Sequence, residues 1–474
     1  MQASSLGRPV LVACAVAGLT SACSLRFIGG LEGESTSSAM SASASAGSGG
    51  AGGEAGAGGA SSSDGASSSA MTGSGGGVVG PRPFPDTTKR TGLLVDRLPA
   101  AMSPAQLSFV ASHFDGARRI TAPVAQAIRA HRSDFLVLHE RLAIWQPTAD
   151  LEFILDGKTW GSDFDVVDVY EPWFWHDAKG KRVASGYDGK WLMNVANTDF
   201  RGYWSDSVAK QIAAGDFDGV LATVGSPTAI LEEGLKPREP RLEGTGLVTA
   251  KLPELGGFTF SEEWEGFAVG VEKELAAKGY PLLVDVGDLA EPWDTTKYGS
   301  VGGVMVDVTR SAGFSVGQWI PWANRLLALT GDRTVIVKGR LDKPTNRELR
   351  RYFHGVYLLV RGPRTFLDYH AANALEWYPE WSIDLGAPLE TGKSIDELVD
   401  AGGLFVRRFE KGWVYVNPTD NAVPATFESV VNRVVATGGG TVFAKGVEPG
   451  ELTEVVVDFF KVEPHSAEIF KLMP

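Results

Sequence analysis

Most of the short apolar runs in this chain end in polar or charged side chains that could take part in chemistry. They are His113, Asp115, His139, Glu140, Asp168, Glu171, Asp285, Asp307, Lys338, Arg340, Asp368 and His370. When two carboxyl groups lie near each other in different surroundings, one can donate a proton while the other stays ionised. Asp307, Asp285 and Glu140 are therefore the candidate catalytic acids.

Two of these runs have related sequences but end differently. FDGVLATV (217–224) has Thr223 four places after its glycine, whereas VGGVMVDV (301–308) has Asp307 four places after Gly303. A hydroxyl group cannot replace a carboxylate as nucleophile or proton donor in acid/base catalysis. If the chain uses a pair of acids, Asp285 or Glu140 must supply the second one beside Asp307.

The elements that would position these side chains alternate between short apolar runs and segments with helical periodicity. Eight runs are rich in β-branched residues and short enough for buried parallel strands. They span residues 108–114, 135–139, 164–170, 217–223, 281–285, 302–307, 334–338 and 365–370. The pattern predicts a (β/α)₈ TIM barrel over residues 83–400, whose strands present their carboxyl ends at one mouth. A doubly wound sheet is the alternative fold.

The sequence pattern changes beyond residue 400. Apolar runs such as LFVRRF, GWVYVNP and TEVVVDFF are separated there by Gly, Pro and Asp turns. Such spacing is typical of antiparallel strands. We therefore predict a small C-terminal antiparallel β-sandwich over residues 401–474, so the fold class is α/β with an appended sandwich.

The N-terminal region predicts export and lipid anchoring. Residues 1–22 have the short apolar stretch of a cleavable signal peptide, and LTSAC (19–23) resembles the bacterial lipobox, whose cysteine, here Cys23, is acylated. An ordinary secretory signal with an incidental cysteine is the alternative. Residues 23–82 are dominated by Gly, Ser and Ala, which predicts a flexible tether. The expected location is the bacterial cell envelope, at the outer membrane because Ser24 rather than Asp follows the cysteine.

Charge and composition limit the partners and cofactors. The formal net charge of −13 disfavours nucleic acid, which selects basic patches. The seven histidines are not spaced as metal ligands, and no P-loop, CxxC pair or dinucleotide-binding glycine pattern follows a predicted strand. We therefore expect no cofactor, no metal in the site and no nucleic-acid partner. The expected membrane contact is the lipid anchor.

Three stretches carry a family resemblance. WYPEWSIDLGAPLE (377–390) and RRFEKGWVYVNP (407–418) resemble blocks of the hypothetical glycosyl hydrolase-like family 15, and FDGVLATV resembles a strand of the same group. The resemblance implies a TIM-barrel glycoside hydrolase fold and a carbohydrate ligand. It also implies an aspartate, as nucleophile or charge stabiliser, at the end of the fourth strand, where this chain has Thr223. At the sixth strand it implies an acid suited to proton donation, where the chain has Asp307.

Three hypotheses about function follow. The first is an exported glycoside hydrolase that cleaves a poly- or oligosaccharide with Asp307 and either Asp285 or Glu140. The second is a catalytically degenerate barrel that binds glycans without hydrolysis, because Thr223 replaces the expected aspartate. The third is a serine hydrolase, suggested by GFSVG (313–317) around Ser315, although no predicted strand runs directly into that turn.

Loops at the mouth would supply the contacts to a carbohydrate. Aromatic rings can stack on the C–H faces of sugars, and polar side chains can bind sugar hydroxyl groups. The predicted substrate-binding residues are His139, Asp168, Glu171, Trp173, Trp175, Trp293 and Trp377. Burial in the core is the alternative role for the tryptophans.

Overall fold

The computed structural model describes the chain from residue 80 to residue 473, with gaps. The described residues are 80–96, 98–147, 153–155, 158–160, 164–176, 180–184, 190–223, 260–289, 301–372, 374–425, 427 and 429–473. The predicted signal peptide, Cys23, the tether up to residue 79 and Trp293 lie outside them. No helix in the described ranges has both the length and the hydropathy of a membrane span.

Eight parallel strands close into a barrel in which sequential strands are neighbours and the first pairs with the last. Numbered first to eighth, they are Gly92–Asp96, Gly116–Arg118, Leu136–Leu142, Gly219–Thr223, Leu282–Asp285, Gly303–Asp307, Thr334–Arg340 and Thr365–His370. The closed parallel sheet and its surrounding helices confirm the predicted TIM barrel.

Helices cover the outer face of the barrel. The longer ones are Pro104–His113, Ala122–Arg129, Thr198–Gly215, Phe260–Ala276, Val316–Leu329 and Arg347–Val360. Shorter helical turns are Phe164–Val167, Glu171–Trp173, Thr309–Gly313, Pro379–Ser382 and Ile395–Leu398. Helix Thr198–Gly215 buries Phe200, Trp204, Val208 and Ile212, as their spacing predicts.

Two of the predicted strands are wrong. Residues 108–114 belong almost entirely to helix Pro104–His113, which begins with a capping box between Ser103 and Gln106. Its short apolar run is compatible with either a strand or a buried helical face, and the cap favours the helix. Residues 164–170 contain the short helix Phe164–Val167 and lie in the segment that follows the third strand.

The strands that take their places were not predicted. Gly116–Arg118 has three residues, one of them charged, so it offers no apolar run to recognise. Asp115 precedes this strand, at the amino end of the barrel, and binds Arg90 at 2.6 Å. His113 ends a helix and stacks on Phe109. The expectation that His113 and Asp115 mark a strand end at the mouth is therefore wrong.

The barrel interior is filled by one large apolar side chain from each of seven strands. They are Leu94, Leu138, Leu221, Leu283, Met305, Ile336 and Phe366. Because side chains alternate between the two faces of a strand, the residue two places further on also points inward, nearer the carboxyl end. Together with Arg118 of the second strand, these residues form what we call the mouth ring. Its members are Asp96, Arg118, Glu140, Thr223, Asp285, Asp307, Lys338 and Asp368.

A long excursion leaves the carboxyl end of the third strand before helix Thr198–Gly215 begins. Its described residues include two antiparallel strand pairs. They are Trp145–Pro147 with Lys190–Leu192 and Phe153–Leu155 with Lys158–Trp160. The excursion therefore lies on the mouth side of the barrel, and it carries four of the predicted substrate-binding residues, from Asp168 to Trp175.

Antiparallel strands follow the barrel, in agreement with the predicted β-sandwich. One sheet has the order Phe405–Phe409, Gly412–Asn417, Ser466–Lys471, Val431–Gly438 and Gly450–Val457. Two-stranded pairs are Val423–Ala425 with Phe460–Val462 and Glu376–Trp377 with Gly440–Thr441. The sandwich packs on helix Arg347–Val360, where a Cβ on Gly355 would lie 2.2 Å from Cβ of Ala467. Glycine at 355 thus permits the close approach of the two domains.

Candidate active site

A buried arginine organises one side of the mouth ring. The guanidinium of Arg118 is 1% exposed and contacts Asp96 at 3.1 Å, Glu140 at 2.9 Å and Asp368 at 3.0 Å. Burial tends to raise the pKa of Asp368, but hydrogen bonds from His370 and Arg118 and their charges lower it to about 2. These three carboxylates are therefore held in fixed positions around one positive charge.

A second arginine, in an unusual backbone conformation, reaches two of these carboxylates. Arg119 has φ of +55°, in the left-handed region, which is rare for a residue with a side chain. Its Nε donates to Asp96 at 2.6 Å and lies 3.3 Å from Oε2 of Glu140. Although burial opposes ionisation of Glu140, the charges of Arg119 and Arg118 lower its pKa overall. Glu140 is thus an ionised carboxylate bound by two arginines, which does not suit a proton donor.

Asp285 and Asp307 are on the fifth and sixth strands, which are neighbours in the barrel, and their surroundings differ. Burial raises the pKa of Asp285, and the charge of Asp307 contributes to the rise, while Lys338 and the backbone N–H of Gly287 oppose it. Asp307 accepts a hydrogen bond from the Thr309 N–H at 2.9 Å and keeps 31% of its side chain exposed. Both residues are half-buried, and a raised pKa on one of two neighbouring carboxyl groups is an arrangement that acid/base catalysis can use.

Lys338 and Thr223 complete the mouth ring. The Nζ of Lys338 lies 3.8 Å from Oδ2 of Asp307, and its charge also acts on Asp285 and Glu140. Thr223 is buried at the inward position of the fourth strand. The mouth therefore has a hydroxyl where the family resemblance implied an aspartate.

His139 does not reach the mouth, so its predicted contact with substrate is wrong. It precedes Glu140 on the third strand and consequently points to the opposite face of the sheet. Its Nε2–H donates to Oε1 of Gln211 at 2.7 Å, and its ring stacks on Phe217. Burial lowers the pKa of His139 to about 4, so the ring is neutral and serves packing.

Three of the predicted sugar-stacking tryptophans pack into the core. Trp173, Trp175 and Trp377 are 7%, 2% and 3% exposed, respectively. Trp173 packs against the ring of Tyr203, and Trp377 meets Trp381 edge to face at 5.5 Å. Because their faces are covered by protein, the prediction that they stack on sugars is wrong.

Asp168 and Glu171 are exposed on the excursion and share one arginine. The Nη1 of Arg182 donates to Asp168 at 2.5 Å, and its Nε donates to Glu171 at 3.0 Å. The hydrogen bond from Arg182, with help from His176, lowers the pKa of Glu171 to about 2. Both residues are accessible, and their role in binding substrate stays a prediction.

The environment of Ser315 does not support a nucleophile. Ser315 precedes helix Val316–Leu329 and follows the helical turn Thr309–Gly313, not a strand. Its Oγ donates to Oε1 of Gln318 at 3.0 Å, in a capping box. A nucleophile elbow requires a strand leading into the turn and a base beside the hydroxyl. We therefore discard the serine hydrolase hypothesis.

Sequence reasoning missed Asp96, Arg118 and Arg119. Asp96 ends the apolar run GLLVD and could have been found by the same rule as Asp285. Nothing in the sequence marks the two arginines, because the strand that ends at Arg118 is too short to show a pattern. In the described part of the chain, no group of three or more His, Cys, Asp or Glu side chains is arranged to hold a metal ion.

A closed (β/α)₈ barrel with five carboxylates at the carboxyl ends of its strands defines a class, the TIM-barrel proteins that carry their site at the mouth. The particular family follows from the sequence. The family model described as hypothetical glycosyl hydrolase family 15 matches residues 129–229 and 257–413, more than half of the chain. The chain belongs to this family, as the resemblance predicted.

Solved structures with a similar chain path include several glycoside hydrolases. A maltogenic α-amylase, AmyB, from Thermotoga neapolitana has a TM-score of 0.42 at 10% identity, covering 81% of this chain and 99% of that one. An α-amylase from Geobacillus thermoleovorans has a TM-score of 0.41 at 12% identity, covering 81% of this chain and 100% of that one. A dextranase from Flavobacterium johnsoniae has a TM-score of 0.44 at 9% identity, covering 83% of this chain and 52% of that one. At these values the likeness assigns no substrate to this chain. No curated protein matches its sequence.

Proposed function

We propose that this protein is an exported, lipid-anchored glycoside hydrolase in which Asp285 donates the proton and Asp307 acts as the second carboxylate. One observation carries the proposal: burial raises the pKa of Asp285 on the strand beside Asp307, whose side chain is 31% exposed and lies 3.8 Å from the ammonium of Lys338. Membership of a glycosyl hydrolase family supports the substrate class, a poly- or oligosaccharide.

The two carboxyl groups would divide the work of breaking a glycosidic bond. Protonated Asp285 would give its proton to the leaving oxygen, and Asp307 would either stabilise the oxocarbenium-like centre or activate a water molecule. This assignment departs from the resemblance, which implied proton donation by Asp307, because burial raises the pKa of Asp285. Retaining enzymes place the two groups about 5–5.5 Å apart, and inverting enzymes about 6.5–9.5 Å apart. Glu140, bound by Arg118 and Arg119, would stay ionised and hold these two arginines in place at the mouth.

The location proposed for this activity rests on the sequence. The signal-like residues 1–22 and Cys23 support export and acylation in a bacterial cell envelope, with onward sorting to the outer membrane. The tether, predicted as residues 23–82, would hold the barrel at a distance from the lipid surface and leave its mouth free to reach a polymer. Its last residue, Arg82, already belongs to the barrel, where it binds Asp218 at 2.9 Å.

The test compares the protein with two variants of the proposed acids. Purified protein is assayed against aryl glycosides and neutral oligosaccharides beside Asp285→Asn and Asp307→Asn. We expect turnover of at least one substrate and a loss of roughly 10²–10⁴-fold in each variant. Asp332→Asn is the matched control, since Asp332 is exposed before the seventh strand, at the opposite end of the barrel. Activity that survives both mouth substitutions would refute the assignment of the acids.

A second candidate function is favoured by Thr223. A barrel that lacks a carboxylate at the fourth strand could bind glycans in its mouth without cleaving them. The fourth strand reads GVLAT from Gly219 to Thr223, so no acid on that strand substitutes for the missing carboxylate. Saturable binding of an oligosaccharide that is recovered intact, and that Asp307→Asn weakens, would support this reading over hydrolysis.

A further inference from the structure

A cavity of about 720 Å³ lies on the C-terminal β-sandwich. One of its walls is the segment 389–400, which is anchored at its middle, where the Ile395 N–H donates to Oδ1 of Asn324 at 2.8 Å, and at both ends. The Leu389 N–H donates to the Arg408 carbonyl at 2.9 Å, and the Asp400 N–H donates to the Leu404 carbonyl at 2.8 Å. No member of the mouth ring lines this cavity, so it is separate from the candidate active site.

Aromatic rings form the floor of the cavity. Trp413, Tyr415 and Phe427 lie together there, with Phe427 6.3 Å from Trp413 and 6.0 Å from Tyr415 between ring centroids. The rings of Trp413 and Phe427 are half-buried, so part of each remains open to the cavity. Their apolar faces suit the C–H surface of a pyranose ring, whose hydroxyl groups then point to the rim.

Polar side chains of both signs surround these rings. The carboxylates are Glu390, Glu397 and Asp400, and the cations are Lys393 and Arg408. Glu390 accepts a hydrogen bond from the Arg408 N–H at 2.7 Å, which orients its carboxylate at the edge of the cavity. Because the charges nearly balance, the rim does not select a polyanion or a bare cation. Interleaved donors and acceptors over aromatic faces instead match a neutral polyhydroxylated ligand.

We propose that this cavity is a second carbohydrate-binding site, which takes two or three sugar units of a neutral polysaccharide. Its volume lies within the range of small-molecule sites, about 300–1,000 Å³. Binding here needs neither Asp285 nor Asp307, so the inference goes beyond the proposed hydrolysis. Such a site would keep a long polysaccharide bound to the protein while the barrel mouth engages another part of the same polymer. The local concentration of polysaccharide at the mouth would then rise.

Affinity electrophoresis of the full protein tests the proposal. Native gels containing soluble starch, dextran or xylan are compared with gels lacking polysaccharide. We expect retardation by at least one of the three polymers, and a dissociation constant about tenfold higher for Trp413→Ala, which removes the stacking face. Arg408→Ala should also weaken binding, and its side chain is 70% exposed, so the fold should be unaffected. Thermal melts of both variants check this.

Two further outcomes separate this site from the barrel. Asp307→Asn should be retarded as strongly as the unmodified protein, and Arg408→Ala should hydrolyse a small aryl glycoside at the unmodified rate if the barrel is active. If Asp307→Asn abolishes retardation, the mouth is the binding site and the inference is overturned. It is also overturned if none of the three polymers retards the protein, or if Arg408→Ala melts normally and binds unchanged.

Discussion

The ammonium nitrogen of Lys338 lies 3.8 Å from Oδ2 of Asp307, on adjacent strands of the barrel. The same charge lowers the pKa of Asp285, against the larger effect of burial. One lysine therefore acts on both proposed catalytic carboxyl groups, attracting one carboxylate and limiting how strongly the other holds its proton.

Replacing Lys338 with Met should move the pH dependence of hydrolysis. Without the ammonium charge, the pKa of Asp285 rises further, so the acid keeps its proton to higher pH. The basic limb of the kcat/KM profile should shift upward by about one pH unit. Lys343→Met removes a charge from an exposed lysine and should leave the profile unchanged. A basic limb that stays in place or moves down would contradict the role of Asp285 as proton donor.

The two proposed acids should respond differently to the leaving group. A dinitrophenolate leaves without a proton, so Asp285→Asn should lose little activity on dinitrophenyl glycosides but roughly 10²–10⁴-fold on alkyl glycosides. Asp307→Asn should lose activity on both kinds of substrate, because its role does not involve the leaving group. Steady-state kcat/KM on a series of leaving groups measures the difference. Equal losses for Asp285→Asn across the series would argue against proton donation.

His139→Gln should make the protein less sensitive to acid without affecting activity. The pKa of His139 falls from about 6.5 when unfolded to about 4 when folded. The unfolded chain thus binds the extra proton first, so stability is full above about pH 6.5 and declines towards pH 4. This group accounts for about 2–3 kcal/mol of that decline. Urea unfolding at pH 7 and pH 4.5 measures the change.

His354 provides an internal reference for that measurement. It is buried on helix Arg347–Val360, and burial also lowers its pKa to about 4. In the His139→Gln variant, the titration of His354 should therefore still make stability decline over the same pH range. A large loss of activity at pH 7 in that variant would instead support the original prediction that His139 contacts substrate.

Gly355→Ala should weaken the attachment of the sandwich to the barrel. The new Cβ would lie 2.2 Å from Cβ of Ala467, which forces helix Arg347–Val360 away from the sheet. We expect a loss of about 1–3 kcal/mol in the free energy of unfolding, despite the higher helix propensity of alanine. Gly266→Ala is the matched control, because a Cβ there meets nothing within 4 Å and Gly266 lies in helix Phe260–Ala276. The control should be neutral or slightly stabilised.

Much of the barrel could be predicted from local pattern. Runs such as PLLVD and TVIVK are short, β-branched and apolar, and such runs form buried strands in most surroundings. The strand prediction for residues 108–114 was wrong because Phe109 and Val110 equally suit a buried helical face. Strand Gly116–Arg118 was not predicted because it has no sequence pattern of its own and pairs between two neighbouring strands.

For the candidate site, part of the outcome could have been predicted from the sequence. Side chains alternate along a strand, so Glu140 and His139 must point to opposite faces of the sheet, although both were predicted to lie at the mouth. The burial of Trp175 and Trp377 depends on segments that pack over them and could not be deduced from aromatic content.

The sequence by itself identified Glu140, Asp285, Asp307 and Asp368 as carboxylates of strand ends, because the short apolar runs that carry them are a local property of the chain. Only the tertiary structure decided how strongly each carboxyl group holds its proton. Arg118 meets Asp368 across 250 residues of sequence, and closure of the barrel brings that contact about. Charge and burial act through space, so the proton preferences of Glu140 and Asp285 became defined only when the eight strands met.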